Sequence, residues 1–148
     1  MTSPTDERND QPGEKQTFEQ IITPLLADLY YPSESDEPLE TVTCYLKQAE
    51  PLTVSQIKDW QMLPPSIYVE EMPEESFWEP VITDEDWYGE EEKARTTKFQ
   101  ALKQLLEQKL TVRQVFRVGE SEMDVFLLGR LPDEEGERAG LKTKIVQT

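Results

Sequence analysis

The 148-residue sequence contains no histidine. That excludes Ser-His-Asp and Cys-His arrangements, imidazole general bases working near neutrality and zinc sites of the Cys/His kind. The one cysteine, Cys44, has no partner for an internal disulfide and reads as a buried thiol on a strand. No apolar run approaches the roughly 20 residues that a membrane span needs. A Gly-rich phosphate loop, a nucleophile elbow and the carboxylate spacing of a calcium loop are all missing. Enzyme chemistry would have to rest on carboxylates, lysine or threonine alone, and no pattern in the sequence supports it. The expectation is a protein that is not an enzyme and needs no cofactor.

Positive charge is also scarce, and its placement is uneven. The chain has 15 Lys and Arg against 31 Asp and Glu, a net charge of −16. Between residues 28 and 92, 18 acids stand against Lys47 and Lys58 only, whereas residues 93–148 carry eight acids and eleven bases. A strongly negative middle is thus joined to a nearly balanced C-terminal part. Such a field repels nucleic acid and anionic lipid and attracts proteins with basic clefts. It also favours a monomer when free. Residues 1–16 are polar and acidic, with Pro4, Pro12 and Gly13, and lack the cationic start and apolar stretch of a signal peptide. They read as a disordered leader of a cytoplasmic protein, followed by a single domain over 17–148.

Phe18, Ile21, Ile22, Leu25, Leu26 and Leu29 follow the spacing of one helix face and predict a helix over 17–29. Pro24 either kinks it or opens a second piece capped by Thr23. An exposed loop is expected over 30–38 and a strand over 41–46. Thr53 and Gln56 form a capping-box pattern that starts a short helix. A strand is expected over 66–70 and an acidic loop over 72–80, with Phe77 and Trp78 as packing residues. Thr83 is expected to cap a long helix reaching Leu110, with Gly89 as a possible early break and Phe99, Leu102, Leu105, Leu106 and Leu110 facing a core. Strands are expected over 114–118, 123–128 and 141–147, with a polar loop over 132–136. Helices and clustered strands together make the fold class α+β.

Asp86-Trp87-Tyr88, Lys98-Phe99-Gln100, the strings 114–120 and 123–126, and the final Ala139-Gly140-Leu141-Lys142-Thr143-Lys144-Ile145-Val146-Gln147-Thr148 resemble, in that order, the nuclease A inhibitor family. These are small acidic proteins that block a non-specific, metal-dependent DNA/RNA endonuclease. Ser33-Glu34-Ser35 is a second match. The resemblance covers about residues 18–148, is dense from Asp86 onward, and is thin over 46–83. It implies a three-layer α/β/α sandwich with a mixed central sheet, and a nuclease partner bound 1:1. It also implies the contacts. Thr148 would reach the nuclease's catalytic metal in trans, offering an α-carboxylate and a hydroxyl on one residue. Glu34, flanked by Ser33 and Ser35, would meet a basic group. Trp87 would be a third contact, although its ring could equally pack the helix start onto the core. Gln147 departs from the pattern, standing where an acid is expected beside the tail.

Two readings from different classes follow. In the first, the chain inhibits a metal-dependent nuclease by covering its cleft. In the second, it is an acidic interaction module or DNA mimic that binds another basic protein without metal contact. A mimic should tolerate residues added after Thr148, whereas metal capture should not.

Overall fold

The first two helices begin on threonines that bond back across one turn. In the computed structural model, which describes residues 17–46, 48, 50–132 and 137–147, Thr17 caps α1 (Phe18–Leu26) and Thr53 caps α2 (Val54–Trp60). In each case the hydroxyl accepts from the backbone N–H three residues on, and a glutamine side chain returns the bond. The expected leader, residues 1–16, and Thr148 lie outside the described residues. Helix α1 ends at Leu26, three residues short of expectation, and Asp28 follows with a positive φ of 58°. Pro24 sits inside α1 without splitting it, and the Thr23 hydroxyl donates to the Glu19 carbonyl at 2.7 Å.

The stretch expected as an acidic loop is instead a third helix, α3 (Glu74–Ile82). Its prolines mark ends rather than a coil. Pro73 occupies the cap at φ −61°, where a missing N–H removes no helical bond, and Pro80 lies near the last turn. Glu74 and Glu75 favour the positive end of the helix dipole. Phe77, Trp78 and Val81 are buried on its inner side, so these aromatics are core residues, as the sequence reading had them. Thr83 closes this helix rather than opening the next, its hydroxyl donating to the Glu79 carbonyl at 2.8 Å. Helix α4 (Glu90–Lys109) starts seven residues later on Gly89, whose N–H donates to the Glu92 carboxylate. Its Phe99, Leu102 and Leu106 are fully buried, each worth about 2 kcal/mol relative to exposure.

The remaining elements are strands: β1 (Tyr30–Tyr31), β2 (Glu37–Pro38), β3 (Glu40–Cys44), β4 (Val69–Met72), β5 (Thr111–Val118), β6 (Glu122–Arg130) and β7 (Arg138–Val146). Five of them form one sheet in the order β3-β7-β6-β5-β4. Every pairing is antiparallel, which corrects the mixed sheet implied by the resemblance. For β5, β6 and β7 this follows from connections of three and seven residues, shorter than the crossover of a dozen or more that a parallel pair needs. Strands β1 and β2 form a separate two-stranded ribbon within the stretch expected as a loop.

Alternate residues of a strand point to opposite faces, and two core clusters result. Val115, Val125, Leu127, Leu141 and Ile145 pack with residues of α1, α3 and α4. Phe116, Val118, Phe126, Leu128 and Cys44 pack with Leu52 and with Ile57 of α2. Buried Arg138 binds the chain ahead of α2, donating to the carbonyls of Leu46, Gln48 and Glu50 at 3.2, 3.0 and 2.9 Å. Gln114 adds a second tie, its side-chain amide accepting from Leu52 N–H at 2.9 Å and donating to Leu52 C=O at 3.0 Å.

A register shift between Thr111 and Gln114 places Val112 at φ 49° with its side chain substantially exposed. A β-branched residue is strained in the left-handed region, by about 1–2 kcal/mol. Val112→Asn, which tolerates that backbone and gives up little burial, is expected to raise unfolding stability by about 1 kcal/mol. A denaturant midpoint unchanged or lowered would show that the strain is absent.

Candidate partner-binding site

Where β3 stops pairing with β7, at Glu40 opposite Lys142, the outer edge of β7 continues for four more residues. The preceding loop takes over that edge. Val146 turns both backbone groups toward it, donating its N–H to the Ser33 hydroxyl at 3.0 Å and accepting from Glu34 N–H at 3.2 Å. Ser33 Oγ also donates to the Ser35 carbonyl at 2.7 Å and accepts from Ser35 N–H at 3.4 Å. The Ser35 hydroxyl in turn donates to the Glu37 carboxylate. The inner side of the strand end is held as well: Val146 lies opposite Glu122 of β6, and Gln147 N–H donates to the Ser121 carbonyl at 2.8 Å.

Four of the residues singled out from sequence, Ser33, Glu34, Ser35 and Gln147, therefore come together although more than 110 positions separate loop from tail. Glu34 and Gln147 are exposed, while Ser33 and Ser35 are half-buried. Thr148, the fifth, is outside the described residues, and the chain is held in place up to the residue before it.

Two supports of this unit are not conspicuous in the sequence. The Thr143 hydroxyl, on the buried face of β7, donates to the Pro38 carbonyl at 2.9 Å and fixes the ribbon to the strand. Tyr31 is buried and donates its phenol to the Phe77 carbonyl at 2.6 Å, its ring stacked on Phe77 with centroids 4.9 Å apart. Burial pushes that phenol's pKa above its ordinary value. The available signal was polar atoms at inward positions, which require a partner when buried.

Trp87 lies in the turn that leads into α4. It is 74 % exposed, its ring meeting Tyr88 edge-on at 4.6 Å. It does not pack the helix start onto the core, so the alternative left open by the sequence is set aside. Among the described residues, the bonds that join loop to tail do not reach Trp87. A cavity of about 380 Å³ is lined by Asp28, Leu29, Tyr30 and Asp36 and by Glu91, Glu92, Ala94, Arg95 and Lys98 of α4.

No group of three or more Cys, Asp or Glu among the described residues is arranged to hold a metal. Nor is any helix among them long and apolar enough to cross a membrane. The described residues thus carry an exposed Glu34 on a loop bonded to the end of β7 and, apart from it, an exposed Trp87. Residues 16–148 match the family model described as nuclease A inhibitor-like protein. No curated protein matches the chain.

Proposed function

Because the chain belongs to the nuclease A inhibitor-like family, we propose that it is a protein inhibitor of a non-specific, divalent-metal-dependent endonuclease, which it binds 1:1. In this reading the acidic surface covers the cleft that normally receives nucleic acid, and Thr148 presents oxygen ligands to the catalytic metal in trans. Glu34 and Trp87 make the flanking contacts.

The observation that carries the reading is the union of the Ser33-Glu34-Ser35 loop with the end of β7. Magnesium prefers hard oxygen donors at strict distances, so a group offered to it must arrive with little freedom. A strand end bonded on both edges meets that need, because less ordering is left for the moment of docking. Charge supplies the approach: 18 acids over residues 28–92 can steer association with a basic cleft toward about 10⁸–10⁹ M⁻¹s⁻¹ at low salt. The inhibitor itself needs no cofactor, since the metal belongs to the nuclease.

The test is a titration of a nuclease of this class, cutting plasmid DNA with magnesium, against two forms of the protein. One ends at Thr148 and the other carries a short C-terminal extension. Inhibition by the first, weakened about tenfold or more by extension, is the expected result. Equal inhibition by both would leave an acidic cleft-blocker and remove Thr148 from the metal. No inhibition by either would favour the acidic interaction module with another basic partner.

A further inference from the structure

Ser33 is half-buried, and its hydroxyl is already committed within the chain. It donates once, to Ser35 C=O, and accepts twice, from Ser35 N–H and Val146 N–H, which fills the ordinary capacity of a hydroxyl. Little is left for a partner to use. Glu34, one residue on, is held from the other side through its own N–H to Val146 C=O. The loop and the strand end thus share one small ring of bonds, and the Ser33 hydroxyl closes it. Without that hydroxyl the Val146 N–H would lose its acceptor, because β3 has already turned away at Lys142.

We infer that Ser33 is a positioning residue: its hydroxyl locks the end of β7 to the Glu34 loop, so that Glu34 and Gln147 meet the nuclease as one preordered unit. The inference rests on the inhibitor reading for its consequence, but the lock itself is a property of the free protein.

The two parts are separable by experiment. In the free protein, amide hydrogen exchange at Val146 reports the lock. Ser33→Ala should speed exchange there at least about tenfold while leaving Val125 and Leu127, in the sheet interior, unchanged. Ser33→Thr, which keeps the hydroxyl, should restore protection. In the complex, Ser33→Ala should raise the dissociation rate about fivefold to tenfold, the order of one hydrogen bond. The association rate should stay the same, because no charge has changed. A merely structural role would lower the melting temperature and speed exchange throughout the sheet. Unaltered exchange at Val146 overturns the lock. Altered exchange with an unaltered dissociation rate overturns its role in binding. If the wild-type protein does not bind the nuclease at all, the inhibitor reading fails, and the exchange result still decides the lock.

Discussion

Gly140→Ala is expected to destabilise the protein by about 3 kcal/mol, at the upper end of overpacking costs, and to lower the melting temperature by roughly 10 °C. Gly140 is the third residue of β7, opposite Leu128 on β6 and Val42 on β3. A Cβ placed there would lie 1.7 Å from the Leu127 carbonyl oxygen, 2.8 Å from its carbon and 3.1 Å from the Leu128 Cα. All three are backbone atoms of the neighbouring strand, so no side chain can rotate away to make room. The strands must separate instead, and β7 holds both β3 and β6. The effect should reach function through the same strand, because Val146 and the loop bonded to it lie at its far end. Chemical denaturation of the purified variant provides the measurement. A midpoint within error of wild type would mean that β6 and β7 do not approach as closely as the structure has them.

The same strand shows what a sequence makes legible and what it conceals. Its C-terminal half was readable because Leu141, Thr143 and Ile145 alternate with Lys142, Lys144 and Val146, and period-two patterning is a local property. The strand begins three residues earlier, at Arg138, where a buried arginine and a glycine break the pattern for reasons located on other strands. The Thr53–Gln56 capping box was legible because both of its bonds close within four residues. Helix α3 was not, since Pro73, Pro80 and a run of acids are local signals of coil. They were overridden by the burial of Phe77, Trp78 and Val81 against α4 and the sheet. Thr83 illustrates the limit of capping rules: a threonine before three acids signals a helix start, yet its hydroxyl satisfies the carbonyl of Glu79 behind it. At the site, residue types came from the resemblance, but their meeting did not. Nothing within a window of sequence joins Ser33 to Val146; the antiparallel order of β3, β7 and β6 does.

Glu34→Lys is expected to weaken nuclease inhibition at least about a hundredfold, the scale of losing and reversing one partner of a desolvated charge pair. The structure separates the two roles of this residue. Its backbone N–H makes the bond to Val146 C=O, and any side chain preserves that bond. Its side chain is exposed on the loop, where a partner can reach it. Substitution should therefore keep that backbone bond while reversing the charge the loop presents. The kinetic signature follows from the charge distribution. Reversal moves the net charge from −16 to −14, so most of the steering field survives and the association rate should fall modestly. The main change should be faster dissociation, because a contact has been lost and a repulsion added. Glu34→Gln, which removes charge but keeps shape, should fall between wild type and Glu34→Lys. Raising salt should slow association of all three proteins, since the steering charges are exposed, without removing the ranking of their dissociation rates. Rate measurements on the three proteins at two ionic strengths decide the matter. If Glu34→Lys inhibits as well as wild type, the loop does not face the nuclease. The acidic surface would then engage its partner from another side, and the bond between loop and tail would serve the fold alone.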